Sequence, residues 1–203
     1  VRGLYYQAEV AEVPGIDKSD QAYNHVQKQV LKLRRAGRLP YSDIADMTTI
    51  YEHAVIHGTG SYELEPPDEA EMARRFAHIT GNGFPWLVHD TGGMVLGYAY
   101  ASPFRTRPAY RWMIEDSVYV APEAKGKGVG KALLIELVTE CSKLGFHQMV
   151  AIIGDGQGNK GSVALHESLG FQHSGTIAGS GFKHGRWVDT VIMQLALNGG
   201  ADR

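Results

Sequence analysis

Glycines and lysines alternate near the middle of the chain, in a pattern that is typical of an anion-binding loop. The segment consists of Lys125, Gly126, Lys127, Gly128, Val129, Gly130 and Lys131. It follows a β-branched and aromatic run that breaks at Pro122, and it leads directly into a sequence with helical periodicity. The first amides of a helix lack internal partners, and the helix dipole favours negative charge there. We therefore expect an anion at this strand–loop–helix unit, and a turn with solvated lysines is the weaker alternative.

Two widespread phosphate-binding loops do not fit this segment. A Walker A loop requires glycine at the position of Lys125 and a hydroxyl residue at the position of Ala132. A dinucleotide fingerprint that begins at Gly126 requires its third glycine at the position of Lys131. Neither pattern therefore identifies the anion.

Two signatures of another family fit better. The stretch from Lys125 to Gly130 resembles the acetyl-CoA loop of the GNAT-superfamily N-acetyltransferases, Arg/Gln-x-x-Gly-x-Gly/Ala, with lysine in place of the usual first residue. The stretch from Asn159 to His166, followed by Leu-Gly-Phe at 169–171, resembles their second signature, Asn-x-x-Ser-x-x-Leu/Phe-Tyr and then Leu-Gly-Phe. Segments 110–120 and 181–189 resemble the phosphinothricin and methionine sulfone or sulfoximine acetyltransferase branch. The resemblance covers about residues 41–197.

The resemblance implies a binding site for acetyl-CoA as co-substrate, with no metal ion. It implies that the cofactor contacts the end of the strand before the loop, the loop itself and the start of a later helix. These residues are Val118, Tyr119, Val120, all residues from Lys125 to Lys131, Asn159 and Ser162. Asn159 and Ser162 are expected to cap the later helix and to hydrogen-bond the pantetheine arm, although capping alone would explain Ser162.

The resemblance also implies catalytic roles for Glu115 and His166. Acetyl transfer to an amine needs a base, because a protonated amine is not a nucleophile. Glu115 lies in an otherwise apolar, aromatic strand that leads to the loop, so burial beside the thioester is expected to raise its pKa. His166 stands where many members of the superfamily have tyrosine, and it is expected to protonate the leaving thiolate or to relay protons. A satisfied histidine on a short helix is an equal alternative.

The expected substrate-binding residues lie before and beside Glu115. They are Phe104, Arg105, Thr106, Arg107, Glu115, Asp116 and Ser117. Guanidinium groups hold carboxylate, phosphinate or sulfone oxygens through paired hydrogen bonds, so two arginines indicate an acidic, amino-acid-like substrate. A solvated basic loop is the competing interpretation. Asp116 is expected to point to the strand face opposite Glu115 and to be a secondary contact.

Together these residues predict an N-acetyltransferase that moves the acetyl group of acetyl-CoA to the α-amine of a phosphinothricin-like or methionine sulfone-like substrate. Direct attack is expected, because Cys141 falls on an apolar helix face and no nucleophile elbow occurs. Two alternatives stay open: a GNAT enzyme acting on a polyamine, an aminoglycoside or a protein N-terminus, and a non-catalytic CoA-binding module. His53 and His57 have metal-ligand spacing, but they lack the His-Glu-x-x-His pattern, so no metal site is expected.

The composition is that of an ordinary globular protein. Of the 203 residues, 43% are hydrophobic and 21% charged, and the net charge of −2 gives no reason to expect nucleic acid or an anionic membrane as partner. A single cysteine excludes an intrachain disulfide and suits a reducing cytoplasm. No apolar run approaches the length of a membrane span. A cytoplasmic location is therefore expected, and the resemblance implies a homodimer.

The elements that must position these residues indicate a mixed α/β fold. The patterns predict helices at 21–36, after a cap at Ser42 or Asp43 and as far as His57, after Asp68, at 130–144 and at 162–168. They predict strands at 86–89, 94–101, 110–120, 148–153, 172–177 and 190–197, with a further strand near Leu39. The resemblance implies a GNAT fold, in which helices flank a twisted, mostly antiparallel sheet with a parallel βαβ unit at the acetyl-CoA site. The expected divisions are an N-terminal extension at 1–38, an acetyltransferase domain at 39–198 and a loose tail at 199–203.

Overall fold

The computed structural model describes residues 33–35 and 41–201. Its helices are α1 (Tyr41–His57), α2 (Glu69–Gly81), α3 (Val129–Lys143) and α4 (Lys160–Glu167). Its strands are β1 (Leu33–Arg35), β2 (Trp86–Thr91), β3 (Met94–Pro103), β4 (Met113–Val120), β5 (Gln148–Gly154), β6 (Gln172–Lys183) and β7 (Arg186–Ala196). None of the helices in this part of the chain is long and apolar enough to span a membrane.

The strands form one sheet in the order β1-β2-β3-β4-β5-β7-β6. Neighbouring strands are antiparallel, except that β4 and β5 run parallel and are joined through α3. A parallel pair needs such a crossover, whereas the antiparallel pairs β2–β3 and β6–β7 need only short turns. The predicted mixed, mostly antiparallel sheet with one parallel βαβ unit is confirmed.

Helices cover both faces of the sheet. A Cβ atom on Gly97 of β3 would come within 3.0 Å of Val129 and 3.2 Å of Leu133, so the bare glycine lets α3 lie close to one face. The next residue, Tyr98, points to the other face, because side chains alternate along a strand. There Tyr98 stacks on Tyr119 with ring centroids 5.3 Å apart, and Tyr119 meets Tyr51 of α1 at 4.8 Å. The helix α2 packs beside α1 on this second face.

The helix α3 follows the predicted apolar repeat. Its buried residues include Leu133, Leu134, Leu137, Val138 and Cys141. The helix was expected to extend to Leu144, but it ends at Lys143, and Leu144 is 51% exposed. Gly145 follows with a left-handed φ of 84°, which glycine adopts readily after the end of a helix.

The strand predicted from Tyr110 to Val120 begins later than expected. A 3-10 turn occupies Pro108–Tyr110, and the amide of Arg111 donates to the Pro108 carbonyl at 3.2 Å. Proline fixes φ near the value that such a turn needs, so Pro108 starts a turn where strand propensity alone favours extension. β4 therefore begins at Met113.

The N-terminal prediction falls mostly outside the described residues. The helix expected at 21–36 is wrong at its end, because Leu33–Arg35 forms the edge strand β1, which pairs with residues 87–89 of β2. At these three residues, hydrogen bonding to the open edge of β2 is stronger than the weak helical pattern of apolar residues. The strand expected near Leu39 lies outside the described residues, and the domain boundary at 38/39 stays a prediction.

The C-terminal strands are longer than expected, and the following residues are anchored. β6 and β7 pair as far as Lys183 with Arg186, across a turn at His184 and Gly185. The tail was expected to be loose from residue 199, but Gly200 is buried and its carbonyl lies 2.9 Å from Nδ1 of His147. Residues 202 and 203 lie outside the described residues.

Candidate active site

The strands β4 and β5 separate just beyond Glu115. Their parallel pairs are Met113 with Gln148, Ile114 with Met149 and Glu115 with Val150. β4 nevertheless continues to Val120 and β5 to Gly154, with no further pair between these two described strands. The facing strand edges beyond the last pair therefore form a wedge with unpaired backbone groups, and Glu115 lies at its apex. The sequence patterns gave no sign of this wedge.

Glu115 lies half-buried on the sheet face that carries α1 and α2. Its partner across β3 is Ser102, and Ser117 pairs in the same way with Tyr100. Burial and then the negative charge of Asp116 raise the pKa of Glu115 to about 7, against an opposing effect of Arg105. A carboxyl group with this pKa exchanges protons readily near neutral pH, which is what a general base needs. The predicted burial of Glu115 is confirmed.

The glycine and lysine loop has the geometry of an anion site. Gly126 and Gly128 have left-handed φ angles of 73° and 85°, which glycine adopts without strain. The amides of Lys125 and Lys127 donate to carbonyl groups three residues earlier. After Lys127, the next amide that donates to a backbone carbonyl is that of Ala132, in α3. The intervening amides at the start of α3 therefore have no carbonyl partner there, and they lie at the positive end of the helix dipole.

Close packing joins this loop to β4 and α4. A Cβ atom on Gly130 would come within 3.3 Å of Leu165 of α4 and 3.4 Å of Val120 of β4. Val118 also borders Gly130, so the β4 residues at the top of the wedge contact the first turn of α3. The predicted cofactor residues of β4 and the loop therefore lie together.

Asn159 and Ser162 do not cap α4 with their side chains. Asn159 occupies the N-cap position, but its side chain makes no capping hydrogen bond, and Ser162 lies inside the first turn. The loop before them is held by Asp155, which is bonded to Arg186 and accepts from the Asn159 amide at 2.6 Å. The predicted capping role is wrong, because backbone bonds already fix the loop. Both side chains are left half-buried, in the segment that follows β5.

His166 and Asp116 form a buried pair on the opposite sheet face. Nε2 of His166 lies 3.0 Å from Oδ2 of Asp116, and its Nδ1 lies 2.7 Å from the Ser162 carbonyl. Burial lowers the pKa of His166, but the charge and hydrogen bond of Asp116, with the Ser162 carbonyl, raise it overall. Both ring nitrogens are thus engaged within the protein, and a catalytic role for His166 stays a prediction that this geometry disfavours. Asp116 likewise faces His166, so the geometry does not support a substrate contact.

The arginine loop lies next to Glu115. Arg105 and Arg107 are exposed, and so is Thr106, while Phe104 is half-buried. The Arg105 guanidinium lies 5.0 Å from the centroid of the Phe104 ring. The positive charge of Arg105 acts to lower the pKa of Glu115, against the larger effects of burial and Asp116. These residues can therefore offer positive charge at the mouth of the site.

A polar network near the wedge was not predicted from the sequence. The Tyr51 hydroxyl lies 3.0 Å from both the Ser61 hydroxyl and Oε1 of Glu63, and Glu63 binds Arg75 through two hydrogen bonds at 2.8 and 3.3 Å. Tyr51 packs on Tyr119 of β4, so this network forms a wall beside the strand that carries Glu115. Its members come from α1, α2 and the loop between them, which no spacing pattern relates.

Cys141 is no nucleophile in this structure. It is buried in α3, and burial raises the pKa of its thiol far above the usual range, with a further contribution from Asp116. Among the described residues, no group of three or more histidine, cysteine or acidic side chains could hold a metal ion.

Comparisons with known proteins agree with this arrangement. Residues 47–171 match the model of the acetyltransferase (GNAT) family. The chain is 48% identical to a phosphinothricin N-acetyltransferase from Alcaligenes faecalis, over 78% of this chain and 80% of the relative. It is 38% identical to an L-methionine sulfoximine/L-methionine sulfone acetyltransferase from Salmonella typhimurium, over 77% of this chain and 91% of the relative.

A solved acetyltransferase structure has a similar fold. The phosphinothricin acetyltransferase from Sinorhizobium meliloti, in complex with acetyl-CoA, superposes with a TM-score of 0.78 at 52% sequence identity. The match covers 84% of this chain and 90% of that one.

Proposed function

The chain belongs to the acetyltransferase (GNAT) family, and we propose that it transfers the acetyl group of acetyl-CoA to the α-amine of a small, acidic amino-acid analogue. The observation that carries this proposal is the position of Glu115, at the apex of a wedge whose upper end contacts the anion loop. Relatives named for phosphinothricin and for methionine sulfone or sulfoximine support these compounds as substrates.

The protein groups around the wedge fit acetyl-CoA. The free amides at the start of α3, together with Lys125, Lys127 and Lys131, would hold the pyrophosphate. The unpaired edge of β4 from Val118 to Val120 would hydrogen-bond the peptide-like pantetheine arm, as an added strand does. Asn159 and Ser162 would contact the arm from the β5 side. Bound acetyl-CoA supplies the thioester carbonyl that the amine attacks.

Glu115 acts in this proposal as the base. It accepts a proton from the ammonium group of the substrate, directly or through water, because only the free amine is a nucleophile. Its pKa of about 7 allows it to be ionised at physiological pH and still hold a transferred proton. Attack is direct, because the buried Cys141 thiol offers no acyl acceptor.

Arg105 and Arg107 are proposed to bind the acidic groups of the substrate. A guanidinium donates two parallel hydrogen bonds to a carboxylate or phosphinate, and both arginines are exposed in the loop before β4. Phe104, Thr106 and Ser117 would shape the same pocket. Positive charge there also disfavours polyamines and aminoglycosides, which are cationic substrates.

A substrate panel tests this proposal. Release of free CoA thiol is measured with phosphinothricin, methionine sulfone, methionine sulfoximine, spermidine, an aminoglycoside and a peptide with a free N-terminus. We expect the three amino-acid analogues to give the largest kcat/KM values. Activity on the peptide alone would transfer the proposal to a protein N-terminus. Tight acetyl-CoA binding without thiol release from any compound would leave a CoA-binding module.

We further propose that the protein is a cytoplasmic homodimer. β6 is the last strand of the sheet, so its outer edge is unpaired within the described chain. Ile177, Phe182 and Trp187 are 51%, 56% and 69% exposed on this hairpin, and long apolar edges are normally covered. Light scattering should give twice the monomer mass, and a Phe182→Ser/Trp187→Ser variant should shift toward the monomer. The single, buried cysteine supports a reducing compartment.

A further inference from the structure

The pair between Asp116 and His166 is almost fully enclosed. Asp116 is 7% and His166 is 3% exposed. A carboxylate and a carbonyl can only accept hydrogen bonds, so a ring that bonds to both must donate through both nitrogens. With Asp116 ionised, the ring is an imidazolium that balances its charge. The other carboxylate oxygen, Oδ1, has no hydrogen-bond partner among the described residues, so the charge of Asp116 depends on His166.

The position of this pair connects the two sides of the wedge. Asp116 is the first β4 residue beyond the last β4–β5 pair, which joins Glu115 to Val150. His166 belongs to α4, the element that follows β5 in the chain. The ring of Phe171 meets the His166 ring edge-on at 4.9 Å and fixes its orientation. The hydrogen bond between Asp116 and His166 thus connects β4 to α4 directly beyond the last pair between β4 and β5.

We propose that Asp116 and His166 form a latch that sets the width of the β4–β5 wedge, and that both are positioning residues for CoA binding. The inference rests on the proposed function, since the wedge is the site assigned to the pantetheine arm. It replaces proton donation by His166, which would need a ring N–H directed at the thiolate. The latch holds β4, and with it Glu115, at a fixed distance from Asn159 and Ser162.

Binding of CoA itself tests the latch without any amine substrate. The dissociation constant is measured by titration calorimetry for the wild type, Asp116→Ala and Asp116→Asn. We expect Asp116→Ala to raise the Kd for CoA by about tenfold, because the hydrogen bond that sets the width of the wedge is removed. Asp116→Asn should restore most of the affinity, because asparagine can donate to the unprotonated Nε2 of a neutral ring while Nδ1 still donates to Ser162.

Two further variants separate the latch from a loss of stability. Met72→Ala removes a buried side chain from α2 on the other sheet face, so it should lower the Tm and leave the Kd for CoA within about twofold. Asp116→Ala/His166→Leu removes both buried charges, so it should fold even where one unpaired charge prevents folding. This double variant should bind CoA as weakly as Asp116→Ala does.

The outcomes decide between the two roles of His166. Wild-type CoA affinity in Asp116→Ala or in the double variant would overturn the latch. So would equally weak binding by Asp116→Asn and Asp116→Ala, which would leave no rescue by the preserved hydrogen bond. A ¹⁵N spectrum gives a separate reading, since the latch requires a hydrogen-bonded Nε2 of His166 both in the wild type and in Asp116→Asn. The chemical shift of a free ring nitrogen at Nε2 in the wild type would overturn it. Failure of the proposed function would appear instead as an inactive substrate panel with these binding results intact.

Discussion

Glu115 and Asp116 are neighbouring carboxylic acids whose surroundings differ completely. Glu115 lies half-buried at the apex of the wedge, its carboxyl group forms no hydrogen bond with the described residues, and its pKa is raised to about 7. Asp116 lies buried on the other face and is hydrogen-bonded to the His166 ring. The alternation of a strand thus places one carboxyl group where it can exchange protons and the next where it holds the structure together. Residue type alone therefore does not assign a role to either.

The largest expected difference between the two acids is in turnover. Glu115→Gln should lower kcat for the best amine by a factor of about 10² to 10⁴, because the amide cannot accept the proton of the ammonium group. The affinity for acetyl-CoA, measured by calorimetry, should stay within about threefold of the wild type. Glu123→Gln, in the exposed turn after β4, is the matched control and should retain full turnover. An equal loss of turnover and acetyl-CoA affinity would instead make Glu115 a structural residue.

The next difference is in stability. Asp116→Ala should lower the free energy of unfolding by about 3 kcal/mol, because it leaves the His166 ring without its counter-charge in a buried site. Urea unfolding at pH 7.5 measures this change. A loss of less than about 1 kcal/mol would mean that the pair contributes no more than a surface ion pair does.

Replacement of Glu115 is expected to stabilise the protein slightly, whereas replacement of Asp116 destabilises it. Its pKa rises from an ordinary 4.5 to about 7 on folding, so the ionised form is disfavoured in the folded protein. This cost is absent below pH 4.5, grows between pH 4.5 and 7 and is complete above pH 7. Glu115→Gln should therefore raise the free energy of unfolding by about 1 kcal/mol at pH 8, after allowance for partial solvation, and by almost nothing at pH 4. The same variant becoming less stable at pH 8 would contradict the raised pKa.

The two acids should also be coupled electrostatically. The negative charge of Asp116 is the second cause, after burial, of the raised pKa of Glu115. Asp116→Asn removes this charge together with the positive charge that an ionised Asp116 holds on the His166 ring, so the acidic limb of the kcat/KM profile should move only slightly to lower pH. An unmoved limb would mean that the two lost charges cancel at Glu115 and that burial sets its pKa.

The sequence was sufficient to predict the elements and the loop of this site. The apolar repeat of α3, the glycines 126–130 and the strand that carries Glu115 are local patterns, and each has a local physical cause. The alternation of β4 also placed Asp116 opposite Glu115. Local patterns of this kind extend over a few turns or pleats of the chain.

The wedge and the latch could not be predicted in this way. β4 stops pairing with β5 beyond Glu115, and no residue type near Glu115 marks that point in the sequence. Asp116 and His166 are 50 residues apart, and only the folded chain brings them together. His166 was therefore expected to act on the thiolate, although its ring is used within the protein.

The pH dependence of kcat/KM for the preferred amine, from pH 5.5 to 9, tests the central role of Glu115 most directly. The profile reports the ionisations of the free enzyme and the free substrate. We predict an acidic limb with a midpoint at about pH 7 in the wild type, which reflects the raised pKa of Glu115. In Glu115→Gln this limb should be absent from the residual activity. The same limb in both proteins, or no limb between pH 6 and 8 in the wild type, would contradict the assignment of Glu115 as the base.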